Sequence, residues 1–206
     1  MLIFLNLIYM YKNAIILTGP IGSGKSEALS IVSRLGYKTV DLDIISNNIL
    51  NSEDSIDFLK INFLDCLEND KVVRAKLANI VFQDKEKLQL LETYLHPKVQ
   101  SQLVDILSNS DQLTFIEVSA PKNVIDMFKT IVLWSPEKVR IERLIDRGMD
   151  LEDITNRINN QPDDEWWHSI GTVINNDIKE DLEGELKKNN RIFVMNKFKV
   201  ISEFTP

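Results

Sequence analysis

The segment Gly19–Ser26 has the composition and spacing of a phosphate-binding loop. It contains a glycine, four further residues, and then glycine, lysine and serine, which fits the full motif. Glycines permit backbone conformations in which successive N–H groups turn toward phosphate oxygens. Lys25 would place a cation on the β- and γ-phosphates of ATP, and the Ser26 hydroxyl would bind Mg²⁺. The sequence therefore predicts an ATP and Mg²⁺ site that serves phosphoryl transfer.

The elements on either side of the loop are those that the motif requires. The apolar run Ala14–Thr18 predicts a strand buried on both faces. After the loop, apolar residues recur at helical spacing from Ala28 to Leu35, and Gly36 predicts the end of that helix. Tyr37–Leu42 predicts a second strand, which completes a β-α-β unit of about thirty residues. A chance match in a glycine-rich turn is therefore the weaker interpretation.

The rest of the pattern predicts an α/β fold with a helical insertion. Apolar stripes predict helices over 56–67, 77–82 and 88–107, the last kinked or restarted at Pro97. Later strands are predicted at Leu113–Val118, Thr130–Trp134 and Thr172–Asn175, and more loosely at Arg191–Ile201. Later helices are predicted from Pro136 to about Arg147 and over Lys179–Asn189.

These elements predict a division of the chain into three functional parts. Residues 14–45 and 110–206 are assigned to a nucleotide-binding core, and residues 46–109 to a substrate-binding insertion. Residues 148–170 are polar and predict a mobile lid that closes over ATP. The apolar run Met1–Tyr11 is too short to span a bilayer and lacks the flanks of a secretory signal, so translation is expected to start at Met10.

Two carboxylates follow the second predicted strand. Asp41 and Asp43 are two residues apart, so on a strand they would face the same side. At the carboxyl edge of a parallel sheet they could accept a proton from the acceptor hydroxyl or help to hold Mg²⁺. The structural alternative is a turn or a helix cap, which aspartate also favours.

Arginines cluster after the fourth predicted strand. Arg140, Arg143 and Arg147 are spaced to share one helical face, and Arg157 follows in the polar segment. Arginine forks suit phosphate oxygens, so the cluster predicts contacts to the transferred group. Ordinary solvated charges paired with nearby carboxylates are the alternative.

Composition limits the partners and the compartment. The net charge of −7 argues against a nucleic-acid binder. A single cysteine, Cys66, excludes an internal disulfide and fits a reducing compartment, so we expect a cytoplasmic protein without membrane contact. We expect a monomer or a weak homo-oligomer.

The ordered set of segments resembles the dephospho-coenzyme A kinase family over roughly residues 14–185. The matching segments are Ile16–Ser26, Leu35–Tyr37 with Asp41–Asp43, Arg74–Leu77 with His96–Val99, Pro136 with Arg143, Arg147, Arg157 and Gln161, and Val173–Asn176. The resemblance implies that ATP phosphorylates the ribose 3′-hydroxyl of dephospho-coenzyme A. It also implies a P-loop kinase fold with a five-stranded parallel sheet, a helical substrate domain and a lid.

The resemblance also implies roles for individual residues. Asp43 or Asp41 would orient or deprotonate the 3′-hydroxyl, Arg143 and Arg147 would contact phosphates, and Asn176 would lie near the adenine. The nucleotide would be contacted by Gly19, Ile21, Gly22, Ser23, Gly24, Lys25, Ser26 and Glu27. Substrate contacts would come from Asp43, Arg74, His96 and Arg157, and metal contacts from Ser26 and Asp43.

The sequence departs from the family pattern at four places. Residues 119–123 read Ser-Ala-Pro-Lys-Asn where the family usually has Pro-Leu-Leu-Phe-Glu, and Glu117 lies nearby but out of register. Glu27, Arg140 and Gly148 replace the usual threonine, glutamine and aspartate. The departures leave the ATP site in place and concern the contacts to the acceptor.

Three other functions remain open from the sequence. The first is another small-molecule P-loop kinase, such as a nucleoside monophosphate kinase. The second is a non-catalytic nucleotide-binding relative, because of the altered segment 119–123. The third is a GTP-dependent switch, but the segment Asn196–Lys199 lacks the aspartate that a guanine reader requires.

Overall fold

The computed structural model describes residues 13–125, 128–177 and 182–189. They divide into two units. One unit comprises the described residues up to Val40 and from Asp111 onward, and the other is Asp41–Ser110. The predicted strand over Arg191–Ile201 and the apolar run Met1–Tyr11 lie outside the described residues.

The elements of the first unit alternate between strands and helices. They are β1 (Ala14–Thr18), α1 (Lys25–Arg34), β2 (Lys38–Asp41), then, after the second unit, β5 (Thr114–Glu117), β6 (Lys129–Trp134), α6 (Glu137–Asp146), α7 (Leu151–Asn159), α8 (Asp164–Ser169), β7 (Thr172–Asn175) and helical residues 182–189. A 3₁₀ turn, Pro121–Asn123, follows β5.

Within the described residues, five strands form one parallel sheet in the order β2-β5-β1-β6-β7. The central strand β1 pairs in parallel with β5 and β6, and β6 pairs in parallel with β7. All five residues of β1 are buried, as the continuous apolar run predicts. The main core cluster joins the sheet to α1 and to residues 182–189, through side chains that include Leu17, Val32 and Leu186. This core fixes the carboxyl end of β1, where the phosphate loop begins.

The second unit consists of helices and one small hairpin. Its elements are α2 (Leu42–Leu50), α3 (Glu53–Asn62), a 3₁₀ turn (Leu64–Cys66), β3 (Leu67–Glu68), β4 (Lys71–Val72), α4 (Arg74–Gln83) and α5 (Lys85–Ser108). Leu59, Phe63 and Cys66 are among the residues of its apolar core. Burial raises the pKa of the Cys66 thiol, as expected for a packing residue and not for a reactive cysteine.

The strands and helices of the first unit confirm most of the predicted pattern. β1 and β7 have the predicted bounds, and β2, β5 and β6 differ from the predicted bounds by one residue at one or both ends. Pro136 immediately precedes α6, as predicted. The polar segment 148–170 contains α7 and α8, which its few apolar residues did not predict. Ile154 and Trp167 anchor these two helices because both side chains are buried.

The second unit corrects two predictions and contains a hairpin and a helix that were not predicted. The helix predicted over 56–67 ends at Asn62, and the chain continues through the 3₁₀ turn into β3. Asn69 and Asp70 both have positive φ, which closes the β3–β4 hairpin. Helix α5 continues through Pro97, so the helix does not restart there, and α2 was not predicted at all.

Candidate functional site

The phosphate loop connects β1 to α1 with tight backbone turns. Gly22 and Gly24 have φ of 80° and 99°, in the left-handed region that favours glycine. A Cβ at Gly22 would lie 2.8 Å from the Arg140 carbonyl oxygen, and a Cβ at Gly24 would collide with the Asn176 side-chain amide. Glycine is therefore required at both positions, for conformation and for space.

The lysine of the motif lies over its own loop. Lys25 is the first residue of α1, and its half-buried side chain reaches back across the loop. Its Nζ donates to the carbonyl oxygens of Gly19 at 2.9 Å and Pro20 at 3.2 Å. The ammonium group is thereby held at the loop and not in bulk solvent, as the motif predicts.

A buried carboxylate lies beside the serine of the motif. Ser26 Oγ donates to Glu117 Oε1 at 3.1 Å. Glu117 ends β5 and pairs with Leu17 of β1, so the strand register brings it to the carboxyl edge of the sheet. A hydroxyl and a carboxylate are oxygen ligands of the kind that Mg²⁺ prefers, so this pair could hold the metal that accompanies ATP.

Two side chains outside the loop contact Ile21. Gln161 Oε1 accepts from the Ile21 N–H at 2.9 Å, and Arg140 Nη1 donates to the Ile21 carbonyl oxygen at 3.4 Å. Arg140 is only 3% exposed, and its Nε also donates to the Ser135 carbonyl at 3.1 Å. Burial lowers the pKa of Arg140 from its usual value, opposed by the charges of Asp164 and Glu137.

Asn176, directly after β7, holds the phosphate loop through its buried side chain. Its side chain is buried, and Nδ2 donates to the Ser23 carbonyl oxygen at 2.8 Å. Its own carbonyl accepts from Arg143 Nη2 and from Ser135 Oγ, both at 2.6 Å. Arg143 Nη1 also donates to Ser135 Oγ at 3.0 Å. These bonds connect the ends of β6 and β7 to the phosphate loop.

The predicted arginine cluster is only partly brought together. Arg140 and Arg143 both contact Ser135, as a shared helical face predicts. Arg147 lies beyond the last helical residue of α6, and its side chain is exposed. Arg157 forms an i,i+4 ion pair with Asp153 at 3.0 Å, which is the ordinary surface alternative.

Apart from Arg157, the candidate acceptor-side residues belong to the second unit. Asp41 is the N-cap of α2, and its Oδ1 accepts from the N–H groups of Asp43 at 2.8 Å and Ile44 at 3.2 Å. Asp43 is exposed in the first turn of α2. The prediction that both aspartates project from one face of a strand is therefore wrong, because the chain turns from strand to helix between them. Arg74 and His96 are exposed on α4 and α5.

Sequence reasoning underestimated three residues of the site. Glu117 was noted only as out of register, yet a charged residue that ends an apolar strand is itself a signal at this sheet edge. Gln161 entered only through the family resemblance, and Ser135 not at all. Glu27, expected to contact nucleotide, lies in the first turn of α1.

Comparison with known proteins identifies similar chains. The sequence profile of the family described as dephospho-CoA kinase matches residues 13–181. The chain is 34% identical over 144 residues to the dephospho-CoA kinase of a Helicobacter pylori strain, which covers 66% of this chain and 73% of that one. It is 30% identical over 184 residues to the dephospho-CoA kinase of Thermus thermophilus, which covers 83% and 87%.

Solved structures have the same fold. The Thermus thermophilus protein TT1252 matches with a TM-score of 0.76 at 30% identity, covering 94% of this chain and 98% of that one. Dephospho-CoA kinase from Campylobacter jejuni matches with a TM-score of 0.66 at 27% identity, covering 89% and 98%. Shikimate kinase from Acinetobacter baumannii shares the fold alone, with a TM-score of 0.55 at 13% identity, covering 92% and 98%.

In the described part of the chain, no helix is both long and apolar enough to cross a membrane.

Proposed function

The chain belongs to the dephospho-CoA kinase family, and on this premise we propose that it transfers the γ-phosphoryl group of ATP to the ribose 3′-hydroxyl of dephospho-CoA. The product is CoA, and the reaction is the last step of CoA biosynthesis. The single observation that carries the proposal is the phosphate loop, with the Lys25 ammonium held over it and Ser26 bonded to a buried carboxylate. P-loop enzymes use a lysine at this place for the β- and γ-phosphates of ATP, and a hydroxyl with a nearby carboxylate for Mg²⁺.

Different residues of the loop and its surroundings would bind different parts of the ATP–Mg²⁺ complex. Phosphate oxygens form charge-assisted bonds that are stronger than those to neutral carbonyls, so they would replace Gly19 and Pro20 as acceptors for Lys25. Ser26 and Glu117 have the oxygen atoms to hold Mg²⁺, which neutralises phosphate charge during transfer. Asn176 would support binding through the loop, because its amide bonds Ser23.

The acceptor-side roles follow the family resemblance. We assign Asp43 to the acceptor hydroxyl, whose proton it would accept, and to the metal. Asp41 already uses its carboxylate as a helix cap, which favours Asp43 for this role. Arg143 and Arg147 are assigned to phosphate contacts, and Arg74, His96 and Arg157 to the substrate. We also propose that the enzyme acts in the cytoplasm on a small-molecule acceptor, as a monomer or a weak homo-oligomer.

The test is an acceptor comparison with the purified full chain, ATP and Mg²⁺. We expect ATP-dependent formation of CoA from dephospho-CoA, detected by mass spectrometry, and no phosphorylation of CoA itself, whose 3′-position is already occupied. Nucleoside monophosphates should not be phosphorylated at a comparable rate. Turnover of a nucleoside monophosphate without turnover of dephospho-CoA would contradict the proposal. ATP binding without turnover of any acceptor would also contradict it, in favour of a non-catalytic relative.

A further inference from the structure

Ile21, the third residue of the phosphate loop, is held at both of its backbone polar groups by side chains from distant parts of the chain. Its N–H donates to Gln161 Oε1 at 2.9 Å, and its carbonyl accepts from Arg140 Nη1 at 3.4 Å. Neither bond forms within the loop. The two peptide units that flank the Ile21 Cα are therefore oriented by groups outside the motif, and these units set the course of the N–H groups that follow.

Arg140 is itself fixed from more than one side. Its guanidinium is buried and donates through Nε to the Ser135 carbonyl at 3.1 Å. Gly22, the next loop residue, lies against the Arg140 backbone, since a Cβ there would be 2.8 Å from the Arg140 carbonyl oxygen and 3.1 Å from its Cα. Arg140 therefore contacts two consecutive loop residues, one through its side chain and one through its backbone.

Gln161 is fixed by its own surroundings in the chain. It lies in the connection between α7 and α8, and its N–H donates to the Ile158 carbonyl at 3.0 Å. Pro162 follows directly, which restricts the backbone of the residue before it. The side-chain oxygen that receives the Ile21 N–H is therefore presented from a constrained backbone. The bond connects the α7–α8 segment to the phosphate loop.

We infer that Arg140 and Gln161 are positioning residues. Their side chains hydrogen-bond the Ile21 backbone and hold the phosphate loop in the conformation that binds the phosphates of ATP. The inference rests on the proposed function for the identity of the nucleotide. It does not depend on the acceptor, because neither residue is assigned to it. Since both bonds end on one residue, they act as a pair: once one is lost, Ile21 can turn and the other bond loses most of its effect.

The test measures ATP binding by calorimetry in the presence of Mg²⁺ for the full chain. The variants are Gln161→Met, which keeps the length of the side chain without its acceptor, Arg140→Met and the double variant. Each single variant should raise the Kd for ATP by about threefold to tenfold, the range expected for one hydrogen bond. The double variant should raise it by clearly less than the product of the two. Gln102→Met, an exposed glutamine on α5, is the matched control and should leave the Kd unchanged.

Two further readouts separate positioning from general stability. The KM for ATP of Gln161→Met should rise with its Kd, whereas its KM for dephospho-CoA should match the wild type, a split that a general loss of stability would not produce. A Gln161→Met protein that binds ATP like the wild type would overturn the inference, as would a double variant whose loss equals the product of the single losses. If Arg140→Met does not fold, Gln161→Met alone decides by its Kd. A wild-type chain that does not bind ATP would refute the proposed function instead.

Discussion

Replacing Gly24 with alanine should destabilise the protein more than the same replacement at Gly36. Both glycines have left-handed φ, 99° and 88°, so alanine carries a similar strain of about 1–2 kcal/mol at each. Only at Gly24 does the new Cβ collide with another residue, the Asn176 side-chain amide, whereas nothing lies within 4 Å at Gly36. Asn176 is buried, so it can yield only by breaking its 2.8 Å bond to the Ser23 carbonyl.

The size of the difference follows from that broken bond. Leaving a buried carbonyl without its partner costs about 1–3 kcal/mol, so Gly24→Ala should lose about 2–5 kcal/mol of unfolding free energy in total. Gly36→Ala should lose only about 1–2 kcal/mol, from strain alone.

The assay is urea unfolding of both variants beside the wild type, followed by ATP titration. Gly36→Ala should bind ATP normally, whereas Gly24→Ala should bind it weakly because Ser23 and Gly24 are displaced together. Equal losses of unfolding free energy in the two variants would refute the role given to Asn176.

Three further predictions concern other parts of the molecule. Asp43→Asn should lower kcat by about 10²–10⁴-fold with unchanged ATP affinity. Asp41→Asn should stay active because asparagine caps helices as well as aspartate does. If a steady-state assay gave the reverse result, the roles of the two aspartates would be exchanged. Glu117→Gln should raise the Mg²⁺ concentration needed for half-maximal rate by about tenfold or more, and an unchanged Mg²⁺ titration would remove Glu117 from the metal site. Burial raises the pKa of Cys66 in the folded state, so the folded protein favours the neutral thiol. The contribution of this thiol to the free energy of unfolding is therefore present at neutral pH and is lost as the pH rises above the unfolded thiol pKa of about 8.5. Urea unfolding should show a larger loss of stability between pH 7 and pH 9.5 in the wild type than in Cys66→Ala, and equal losses would contradict this.

The first unit was largely predictable from the sequence. Its strands are continuous apolar runs with sharp boundaries, such as Ala14–Thr18 followed by Gly19 and Pro20. Strands buried on both faces need such runs, so the pattern and the structure coincide. The phosphate loop followed directly from its motif.

The helical unit was less predictable because helical spacing continued past the true end of a helix. Phe63, Leu64 and Leu67 fit the stripe of α3, but the Asn69–Asp70 turn that closes the hairpin contains residues that tolerate positive φ. The stretch Leu42–Leu50 also begins at an aspartate cap, a signal that was named only as the alternative to a pair of strand carboxylates.

The contacts around the phosphate loop could not be obtained from sequence spacing. Arg140 and Gln161 bond Ile21 across 119 and 140 positions of the chain, so these bonds depend on the tertiary placement of α6 and of the α7–α8 connection. An arginine on a helix usually has a solvated charge, and no local pattern distinguishes the buried Arg140 from the exposed Arg147.

The most direct test of the account compares CoA formation by the wild type and by Lys25→Ala, with circular dichroism to show that both are folded. Lys25 Nζ lies over the loop, bonded to Gly19 and Pro20, where the phosphates of ATP would bind. The account predicts that the folded variant loses about 10²–10³-fold or more in turnover. A folded Lys25→Ala protein that converts dephospho-CoA at a near-normal rate would contradict it.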